Sequence, residues 1–375
     1  MISAGEASGD RHAASLYRAL KRRKPELRVM GMGGAAMRAA GVDVRVDSSQ
    51  MGVIGLAEIA RHYREIRAAL DRMKALAAAE RPDLLICVDY KEFNFRLARA
   101  AKSLGIRVLF YVSPQVWAWR PGRVKSYGRI IDHMAVIFPF ELPFYQRFGI
   151  PATYVGHPLK GTVKVTEPRE RVRPRFQPAG GESPLIGLLP GSRTQEISRL
   201  LPTILGAVRE LGMRYPAAKF LLFKAPGVPA ESLQSALDEP GIPIEILEGQ
   251  DYNTLQCCDA VITVSGTATL EVALLGLPMV ILYRLAPLSY WLGRLLVRVP
   301  FIGLPNILSG RRIVREFIQH EATAENLAQE VARILEDSEY RSAMRADLMA
   351  VRDQLGDLEG SDVLADLALR LLAKS

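Results

Sequence analysis

Asp89 is the residue whose place in the sequence best suits catalysis. It closes the apolar run Leu84–Val88, which has the composition of a buried parallel strand. Ligands of open α/β sheets bind beyond the carboxyl ends of strands, so a carboxylate at this position can act on a substrate. The alternative is an N-cap of the helix that follows. We interpret Asp89 as a catalytic group.

A loop with two tryptophans follows the next predicted strand, Val108–Val112. Tryptophan rings stack on sugars, and an arginine side chain holds phosphate. The loop therefore predicts a substrate-binding surface, and a structural corner is the alternative. Its candidate residues are Ser113, Gln115, Trp117 and Arg120.

Two glycine turns lie near the start of the chain. Gly5–Asp10 precedes a predicted helix, and its backbone N–H groups could hold an anion or a sugar hydroxyl, with Glu6 and Ser8 as candidate contacts. A tight turn without a ligand is the equal alternative. Gly31–Ala36 matches the dinucleotide pattern G-x-G-x-x-A, but it follows the second strand and leads into a short helix. We interpret it as a turn.

Two turns in the second half of the chain have the residues of a diphosphate site. Each follows a predicted strand and begins a helix, where free N–H groups and the helix dipole attract phosphate. Glu271, one turn into the second helix, could accept hydrogen bonds from ribose hydroxyls. Together they predict a nucleoside diphosphate site. The turn residues are Gly191, Ser192, Arg193, Ser265, Gly266 and Thr267.

Apolar strand-like runs alternate with helical patterns, which predicts doubly wound parallel sheets. We expect an N-terminal domain over residues 1–165, a linker over 166–184, a second domain over 185–345 and a helical segment over 346–375. The pattern over 322–372 looks entirely helical. Only Met1–Ala4 precede the first glycine turn, so we expect part of the first strand to lie upstream. The predicted strands are Leu27–Met30, Leu84–Val88, Val108–Val112, His133–Ile137, Tyr154–Val155, Leu185–Leu189, Lys219–Phe223, Glu245–Leu247, Ala260–Val264 and Met279–Tyr283.

The net charge of +9 is concentrated in the first half, where residues 1–165 carry 27 Lys and Arg against 14 Asp and Glu. This surplus predicts an anionic partner: phosphate, nucleic acid or an acidic lipid surface. No recognised nucleic-acid motif is present. The three cysteines have no zinc-like spacing, no Asp-x-Asp triplet occurs and the histidines are scattered, so we expect no metal and no cofactor. No apolar run is long enough to cross a bilayer, and we expect a cytoplasmic protein.

Two segments suit a membrane surface. Apolar residues at 51–56 precede an amphipathic helix whose opposite face is basic, and residues 272–315 hold six Arg and no acidic residue. Within the second segment, Tyr290 and Trp291 lie among leucines. For the amphipathic helix, the favoured interpretation is an apolar face in the core and a basic face in solvent. For residues 272–315, burial against the other domain or a second subunit is an equal alternative.

Seven strings in the same order, spread over residues 3 to about 320, resemble the lipid-A-disaccharide synthase family. They include the motifs above together with Phe138–Glu141, Val155–Pro158 and Leu304–Asn306. The resemblance implies a GT-B fold, in which two Rossmann-like domains face a cleft. It implies inverting transfer of 2,3-diacylglucosamine from UDP to 2,3-diacylglucosamine 1-phosphate, which gives a β(1→6) disaccharide 1-phosphate and UDP. It also implies peripheral attachment to the inner membrane and a homodimer.

The resemblance assigns roles by matching motif. Asp89 takes the place of the general base, the two phosphate turns hold UDP, and Asn306 lines the site. The family commonly has Asp-x-Pro-Asp-Phe-Asn where this chain has Lys91 and Glu92 at the third and fourth positions, and Asp89 and Asn94 are retained. The alternatives are another GT-B enzyme of UDP-sugars, such as an epimerase or a soluble-sugar transferase, and a nucleotide-sugar or lipid-binding protein without catalysis.

Overall fold

A computed structural model describes residues 1–49, 59–119, 121–176, 183–234, 243–249, 251–285, 300–358 and 360–373. It divides into two compact units. The first comprises Met1–Gly161 and Asp357–Ser375, and the second comprises Thr162–Gly356.

Each unit is built on one parallel sheet. The first sheet has seven strands in the order β3-β2-β1-β4-β5-β6-β7, and the second has six in the order β10-β9-β8-β11-β12-β13. The strands of the first unit are β1 Ile2–Ala4, β2 Met30–Gly33, β3 Asp43–Asp47, β4 Leu84–Val88, β5 Arg107–Tyr111, β6 His133–Val136 and β7 Ala152–Tyr154. Those of the second are β8 Leu185–Leu189, β9 Lys219–Lys224, β10 Ile244–Glu248, β11 Ala260–Val264, β12 Met279–Tyr283 and β13 Arg315–Ile318.

Helices connect the strands in both units. The α-helices described are α1 Ala7–Arg23, α2 Ala35–Ala40, α3 Ile59–Glu80, α4 Lys91–Ser103, α5 Val116–Trp119, α6 Val124–Gly128, α7 Glu141–Arg147, α8 Pro158–Thr162, α9 Arg169–Val172, α10 Thr194–Arg214, α11 Tyr252–Leu255, α12 Thr267–Leu274, α13 Leu304–Ser309, α14 Ala324–Glu336, α15 Ser338–Gln354 and α16 Gly360–Ala373. Short 3₁₀ turns lie at Pro121–Arg123, Arg173–Phe176, Ala230–Leu233 and Gln319–Glu321.

The prediction of doubly wound parallel sheets is confirmed, with local differences. The strand expected at 27–30 begins at Met30 instead, and the single helical pattern over 322–372 is divided into α14, α15 and α16. Strands β3 and β13 were missed because charged residues interrupt their short apolar pattern. Both are edge strands, where charged side chains are common because one side of the strand is not paired.

Strand β1 is only three residues long but lies inside the sheet, paired in parallel with β2 and β4. Gly31 in β2 lies so close to this strand that a Cβ would be 1.8 Å from the carbonyl oxygen of Ile2. The first three residues of the glycine pattern at 31–36 form the end of β2, and only Gly34 separates them from the six-residue helix α2. The turn is therefore shorter than the predicted one.

The last helix, α16, completes the first unit. It covers α1 on one face of the sheet, where Leu364, Ala365 and Ala368 are buried in the same apolar core as Leu16 and Leu20. Ion pairs support this contact at the surface. They join Arg22 and Arg23 to Asp362, and Arg23 to Asp366.

The helix α10 is amphipathic, and the apolar residues on its inner face are all buried. These are Ile197, Leu200, Leu201, Ile204, Val208 and Leu211. The pattern of α3 holds for Leu70 and Met73, which are buried, whereas Tyr63 is 54% exposed. The apolar residues expected at 51–56, and Tyr290 and Trp291 in the later segment, lie outside the described residues.

Asp10 fixes the turn between β2 and α2. Its carboxylate accepts hydrogen bonds from the backbone N–H groups of Gly34, Ala36 and Met37 at 2.7, 2.8 and 3.1 Å. The side chain is 6% exposed, so these three donors are satisfied without water. The last residue of the Gly5–Asp10 motif therefore has a structural function, which sequence reasoning did not assign.

We expect Asp10→Ala to lower the free energy of unfolding of the first unit by about 2–3 kcal/mol, because it leaves three backbone donors without an acceptor. Asp10→Asn, which keeps one acceptor oxygen, should lose less. Urea unfolding followed by circular dichroism measures both. Asp43→Ala, at an exposed residue of β3, should change stability by less than about 0.5 kcal/mol. Equal losses for Asp10→Ala and Asp43→Ala would contradict the capping function.

Candidate functional site

The strand order places two predicted motifs of the first unit side by side. Strands β1 and β4 are parallel neighbours, with Ala4 in register with Val88. The chain leaves β1 into the Gly5–Asp10 turn and leaves β4 at Asp89, so both lie at the carboxyl edge. The connections diverge here, since β2 lies on one side of β1 and β5 on the far side of β4. Such a switch point is where open α/β sheets bind ligands.

Asp89 and Tyr90 leave the sheet in an uncommon conformation. Their φ angles are 48° and 46°, in the left-handed region that non-glycine residues seldom adopt. The Tyr90 ring lies over Gly5, where a Cβ would be 2.1 Å from the nearest ring atom. Glycine at position 5 therefore makes room for the ring. Strained backbone of this kind is concentrated at functional sites.

Asn94 stabilises the turn at Asp89 through hydrogen bonds to its backbone. Its side chain is fully buried, and Nδ2 donates to the carbonyl oxygens of Asp89 at 2.7 Å, Val88 at 3.2 Å and Ser3 at 3.3 Å. Its Oδ1 accepts a hydrogen bond from the Ser3 hydroxyl at 2.7 Å. The amide thus joins the ends of β1 and β4, and it positions the turn that carries Asp89.

The Asp89 carboxyl group is more basic than a free aspartate. Burial raises its pKa, while the charge of Lys91 and a hydrogen bond from the Tyr90 backbone partly oppose the rise. A carboxylate whose pKa is raised towards neutrality is a better proton acceptor, which a general base requires.

Glu6 and Ser8 lie at the beginning of α1, next to this turn. Glu6 is the exposed N-cap residue of the helix, and Ser8 is half-buried in its first turn. Burial, followed by the charge of Glu6, raises the pKa of Tyr90, so the Glu6 carboxylate lies near that ring. The turn therefore presents one carboxylate and one hydroxyl near Asp89.

The loop after β5 begins with a third residue in the left-handed region, Val112, whose φ is 66°. Ser113 follows it and is buried, with its hydroxyl 2.7 Å from the Tyr145 hydroxyl. Gln115 is exposed and its Oε1 accepts a hydrogen bond from Lys91 at 3.4 Å. Arg120 lies outside the described residues. Because β4 and β5 are parallel neighbours, this loop follows the sheet edge beside Asp89.

Trp117 in the same loop is held by a buried carboxyl group. Its Nε1 donates to Glu141 at 3.0 Å, and its ring packs edge-on against Phe140 at 4.8 Å. Glu141 also accepts from the backbone N–H of Phe138 at 3.1 Å and interacts with the Ser113 hydroxyl. The motif Phe138–Glu141 contributes to the family resemblance, but no function was predicted for Glu141 from the sequence. Its position next to aromatic residues at the start of a helix was the sequence feature that could have indicated this function.

The Glu141 side chain is 1% exposed, and burial raises its pKa to about 7 against the opposing effect of these hydrogen bonds. The pKa values of two buried histidines are lowered instead. Burial lowers the pKa of His12 to about 4 and that of His157 to about 3, so both rings are uncharged at neutral pH. Glu141 therefore titrates nearer to neutral pH than either of these two histidines.

The two phosphate-type turns of the second unit are also neighbours. Strands β8 and β11 are parallel, with Leu189 in register with Thr263, so Gly191–Arg193 and Ser265–Thr267 follow at the same edge. This edge is again a switch point, with β9 on one side and β12 on the other. The structure thus brings the predicted diphosphate residues of this unit together.

The first of these turns depends on glycine. Gly191 has φ of 114°, and a Cβ there would be 2.7 Å from Oε2 of Glu196. Ser192 and Arg193 are exposed, and Arg193 is the N-cap residue of the long helix α10. In the first turn of α10 the Glu196 N–H donates to the carbonyl oxygen of Arg193 at 3.0 Å. The N–H groups that precede it have no i−4 partner in the helix, and such groups favour an anion.

The second turn begins α12 and is anchored on one side. The Ser265 hydroxyl donates to the carbonyl oxygen of Ile302 at 2.9 Å, while Gly266 and Thr267 are exposed. Glu271 is 4% exposed, and its charge contributes after burial to the raised pKa of Tyr252. A serine hydroxyl, helix N–H groups and a carboxylate are therefore all present at this turn.

Asn306 organises the loop to which Ser265 is bound. Its fully buried amide accepts from the N–H groups of Ile313 and Val314 and donates to Glu316 at 2.7 Å. Glu316 in turn accepts from the N–H groups of Ile302 and Gly303. Asn306 thus positions the backbone at 302–303. Glu316, which sequence reasoning missed, belongs to the same network.

Within the described ranges, no group of three or more His, Cys, Asp or Glu side chains is arranged to hold a metal ion. Over the same ranges, no helix combines the length and the apolar composition that a membrane span requires.

Comparisons with known proteins agree over the whole chain. A family model described as lipid-A-disaccharide synthetase matches residues 1–363. The lipid-A-disaccharide synthase of Geobacter sulfurreducens is 45% identical over 374 residues, covering 100% of this chain and 97% of that protein. The enzyme of the same name from Myxococcus xanthus is 39% identical over 372 residues, covering 99% and 97%.

Solved structures with the same fold are more distant in sequence. UDP-N-acetylglucosamine 2-epimerase from Neisseria meningitidis, bound to UDP-GlcNAc, has a TM-score of 0.66 at 13% identity and covers 98% of both chains. MurG from Acinetobacter baumannii has a TM-score of 0.59 at 13% identity, covering 99% of this chain and 98% of that one. These similarities confirm the GT-B fold that the family resemblance implies.

The raised pKa of Glu141 predicts how stability changes with pH. Between about pH 4.5 and 7 the folded protein holds a proton on Glu141 that the unfolded chain has released, so wild-type stability falls as pH rises through this window. Glu141→Gln cannot titrate. We expect its stability relative to wild type to rise by about 2–3 kcal/mol from pH 5 to pH 8. Urea unfolding at both pH values measures this difference.

Glu26→Gln, at an exposed residue of the same unit, is the control and should show no such change. A Glu141→Gln difference that decreased as the pH rose would mean that the pKa of Glu141 is lowered rather than raised.

Proposed function

The chain belongs to the lipid-A-disaccharide synthase family, and from this premise we propose which of its residues carry out the reaction. The enzyme is an inverting hexosyltransferase. It transfers 2,3-diacylglucosamine from UDP to 2,3-diacylglucosamine 1-phosphate and forms the β(1→6) lipid A disaccharide 1-phosphate and UDP. The family match favours this activity over an epimerase, a soluble-sugar transferase or a binding protein without catalysis.

Asp89 is the general base of this proposal. Its carboxylate takes the proton of the acceptor 6-hydroxyl while that oxygen attacks the anomeric carbon of the donor. The bond between this carbon and the diphosphate oxygen breaks, and its electron pair leaves with UDP. Attack from the opposite face converts an α donor into a β product. The observation that carries the assignment is the half-buried, strained position of Asp89 at the sheet switch point, where its pKa is raised.

The acceptor is proposed to lie against the loops around Asp89. Glu6 and Ser8 on one side, and Gln115 and Trp117 on the other, offer polar groups and an aromatic face to the sugar. Asn94 and Ser113, which are buried, act by holding these loops. We keep Arg120 as a candidate from its sequence position. In domain terms, the acceptor function belongs to the predicted domain of residues 1–165.

The UDP moiety of the donor is proposed to bind the second unit, within predicted residues 185–345. Arg193, Ser192 and the N–H groups at Gly191 and the start of α10 would hold the diphosphate. Ser265, Gly266 and Thr267 would supply a second set of donors, and Glu271 would accept from the ribose hydroxyls. Donors fixed before the reaction stabilise the charge that develops on the leaving diphosphate.

Attachment to a membrane surface is a further part of the proposal. A groove between α3 and α4 has more cations than anions and begins beside the exposed Tyr63. Its cations are Arg67, Lys74, Arg96 and Arg99. Each basic side chain near an anionic bilayer contributes roughly 1 kcal/mol of attraction. A protein with acylated substrates gains access to them at such a surface. The homodimer that the resemblance implies stays a prediction.

The reaction is tested by measuring release of UDP from UDP-2,3-diacylglucosamine in detergent and EDTA. We expect release only when diacylglucosamine 1-phosphate is present. Asp89→Asn should lower turnover at least about 100-fold with UDP affinity unchanged, because only the proton acceptor is lost. Arg193→Ala should instead weaken UDP binding.

Asp83→Asn is the matched control for the base, since Asp83 is exposed at the amino end of the same strand. Unchanged turnover in Asp89→Asn would remove Asp89 from the role of base. Loss of wild-type activity in EDTA would contradict the expectation that no metal takes part.

Membrane attachment is tested by sedimentation with vesicles of phosphatidylglycerol or phosphatidylcholine. We expect binding to the anionic vesicles, and at least tenfold weaker binding after all four groove cations are changed to Gln. A control variant removes the same charge from four exposed cations elsewhere. These are Arg11, Arg18, Lys24 and Arg129. Equal weakening in both variants would mean that net charge, and not the groove, attracts the protein.

A further inference from the structure

A cavity of about 320 Å³ lies beside the Asp89 turn in the first unit. Its polar wall comes from the beginning of α4, from the loop after β5 and from Arg123 in the 3₁₀ turn at Pro121–Arg123. The polar residues that line it are Lys91, Glu92, Gln115 and Arg123. Val116 and Tyr127, which are 6% and 1% exposed, provide apolar surface. The cavity thus presents cationic and amide donors.

Lys91 connects this cavity with the proposed base. Its ammonium donates to Gln115 at 3.4 Å, on the wall opposite its own helix. Its charge also acts on the Asp89 carboxylate, where it opposes the rise of the pKa that burial causes. A group bound to Lys91 would therefore lie close to Asp89. Position 91 is also one of the two at which this chain departs from the family pattern, which has proline there.

Arg123 is fixed on the wall of the cavity by two contacts. Its Nη1 donates to Glu92 at 2.7 Å, and its guanidinium lies over the Phe95 ring at 5.7 Å. The guanidinium carries five N–H donors in a planar fork, so the ion pair through Nη1 orients the group without using its remaining donors. The second departure from the family pattern, Glu92, supplies the carboxylate of this ion pair.

We propose that this cavity binds the 1-phosphate of the acceptor sugar, through the ammonium of Lys91 and the guanidinium of Arg123. The inference rests on the proposed function, in which Asp89 takes the proton of the acceptor 6-hydroxyl. The hydroxyl and the phosphate belong to the same sugar ring, so the phosphate must bind within one ring of Asp89. Lys91 and Arg123 are the cations that line a cavity at this position among the described residues. A phosphate dianion is the ligand that such a pair favours.

The binding of the phosphate distinguishes the correct acceptor from one without it. The experiment compares diacylglucosamine 1-phosphate with diacylglucosamine that has a free 1-hydroxyl, at a pH where activity no longer changes with pH. Lys91→Met should lower kcat/KM for the phosphorylated acceptor about tenfold, mainly through KM. For the acceptor without phosphate it should change kcat/KM less than twofold. Lys91→Arg, which keeps the charge, should restore most of the activity.

Lys125→Met is the control, because Lys125 is an exposed cation on α6 that does not line the cavity. An equal loss for both acceptors in Lys91→Met would overturn the proposal, since Lys91 would then act through Asp89 alone. A wild-type enzyme that uses both acceptors equally well would overturn it too.

A binding measurement separates this inference from the transfer reaction. Glucosamine 1-phosphate and glucosamine, both without acyl chains, are titrated into the full-length protein and followed by ligand-observed NMR. We expect binding of the phosphorylated sugar that Lys91→Met weakens severalfold. This result would support the phosphate site even if no UDP were released in the transfer assay. Transfer with no effect of Lys91→Met on phosphate binding would support the reaction and reject the site.

Discussion

In each unit a central strand pairs in parallel with a neighbour on both sides. The candidate site residues at the carboxyl edge of each sheet depend on this pairing. In the first unit β1 pairs with β2 and β4, and in the second β8 pairs with β9 and β11. All carboxyl ends then point to one edge, and the connections leave the central pair in opposite directions. The gap between those connections is where a ligand can approach the backbone of both central strands. Asp89 and the two phosphate-type turns occupy these gaps.

Buried polar side chains hold the loops at these edges in place. Asn94, Glu141 and Asn306 are almost fully buried, and each binds backbone or side-chain groups of a loop rather than solvent. The hydrogen bonds of Asn94 to the carbonyl oxygens of Val88 and Asp89 help to offset the cost of left-handed backbone at Asp89, which is of order 1–3 kcal/mol. The loops are therefore fixed before a substrate binds, and binding energy is not spent on ordering them.

Much of this arrangement could be predicted from the sequence because its signals are local. Apolar runs such as Leu84–Val88 and Ala260–Val264 were predicted with correct bounds, since a strand covered on both faces has to be continuously apolar. The edge strands β3 and β13 were not predicted, because they are strands through their pairing with a neighbour and not through an apolar composition. The positions of the phosphate turns also followed from local pattern, and the strand order that makes them neighbours came from the structure.

The contacts of buried side chains could not be predicted in the same way. Asn94 and Asn306 look like site residues in the sequence, yet the partners that hold them lie up to 91 residues away along the chain. Glu141 gave no sign of its raised pKa, because that property arises from burial by residues of other elements. The cavity with Lys91 and Arg123 likewise depends on three separate segments that meet only in the folded unit.

The contact between α16 and α1 has a consequence for synthesis on the ribosome. The second unit is continuous from Thr162 to Gly356, whereas the first unit is completed by residues that are translated after it. The apolar face of α1 that α16 covers therefore remains uncovered while about half of the chain is still to be made. The second unit can reach its native contacts as soon as it has emerged, and the first must wait for the last helix. Protection of nascent α1, for instance by a chaperone, is accordingly most needed in this interval.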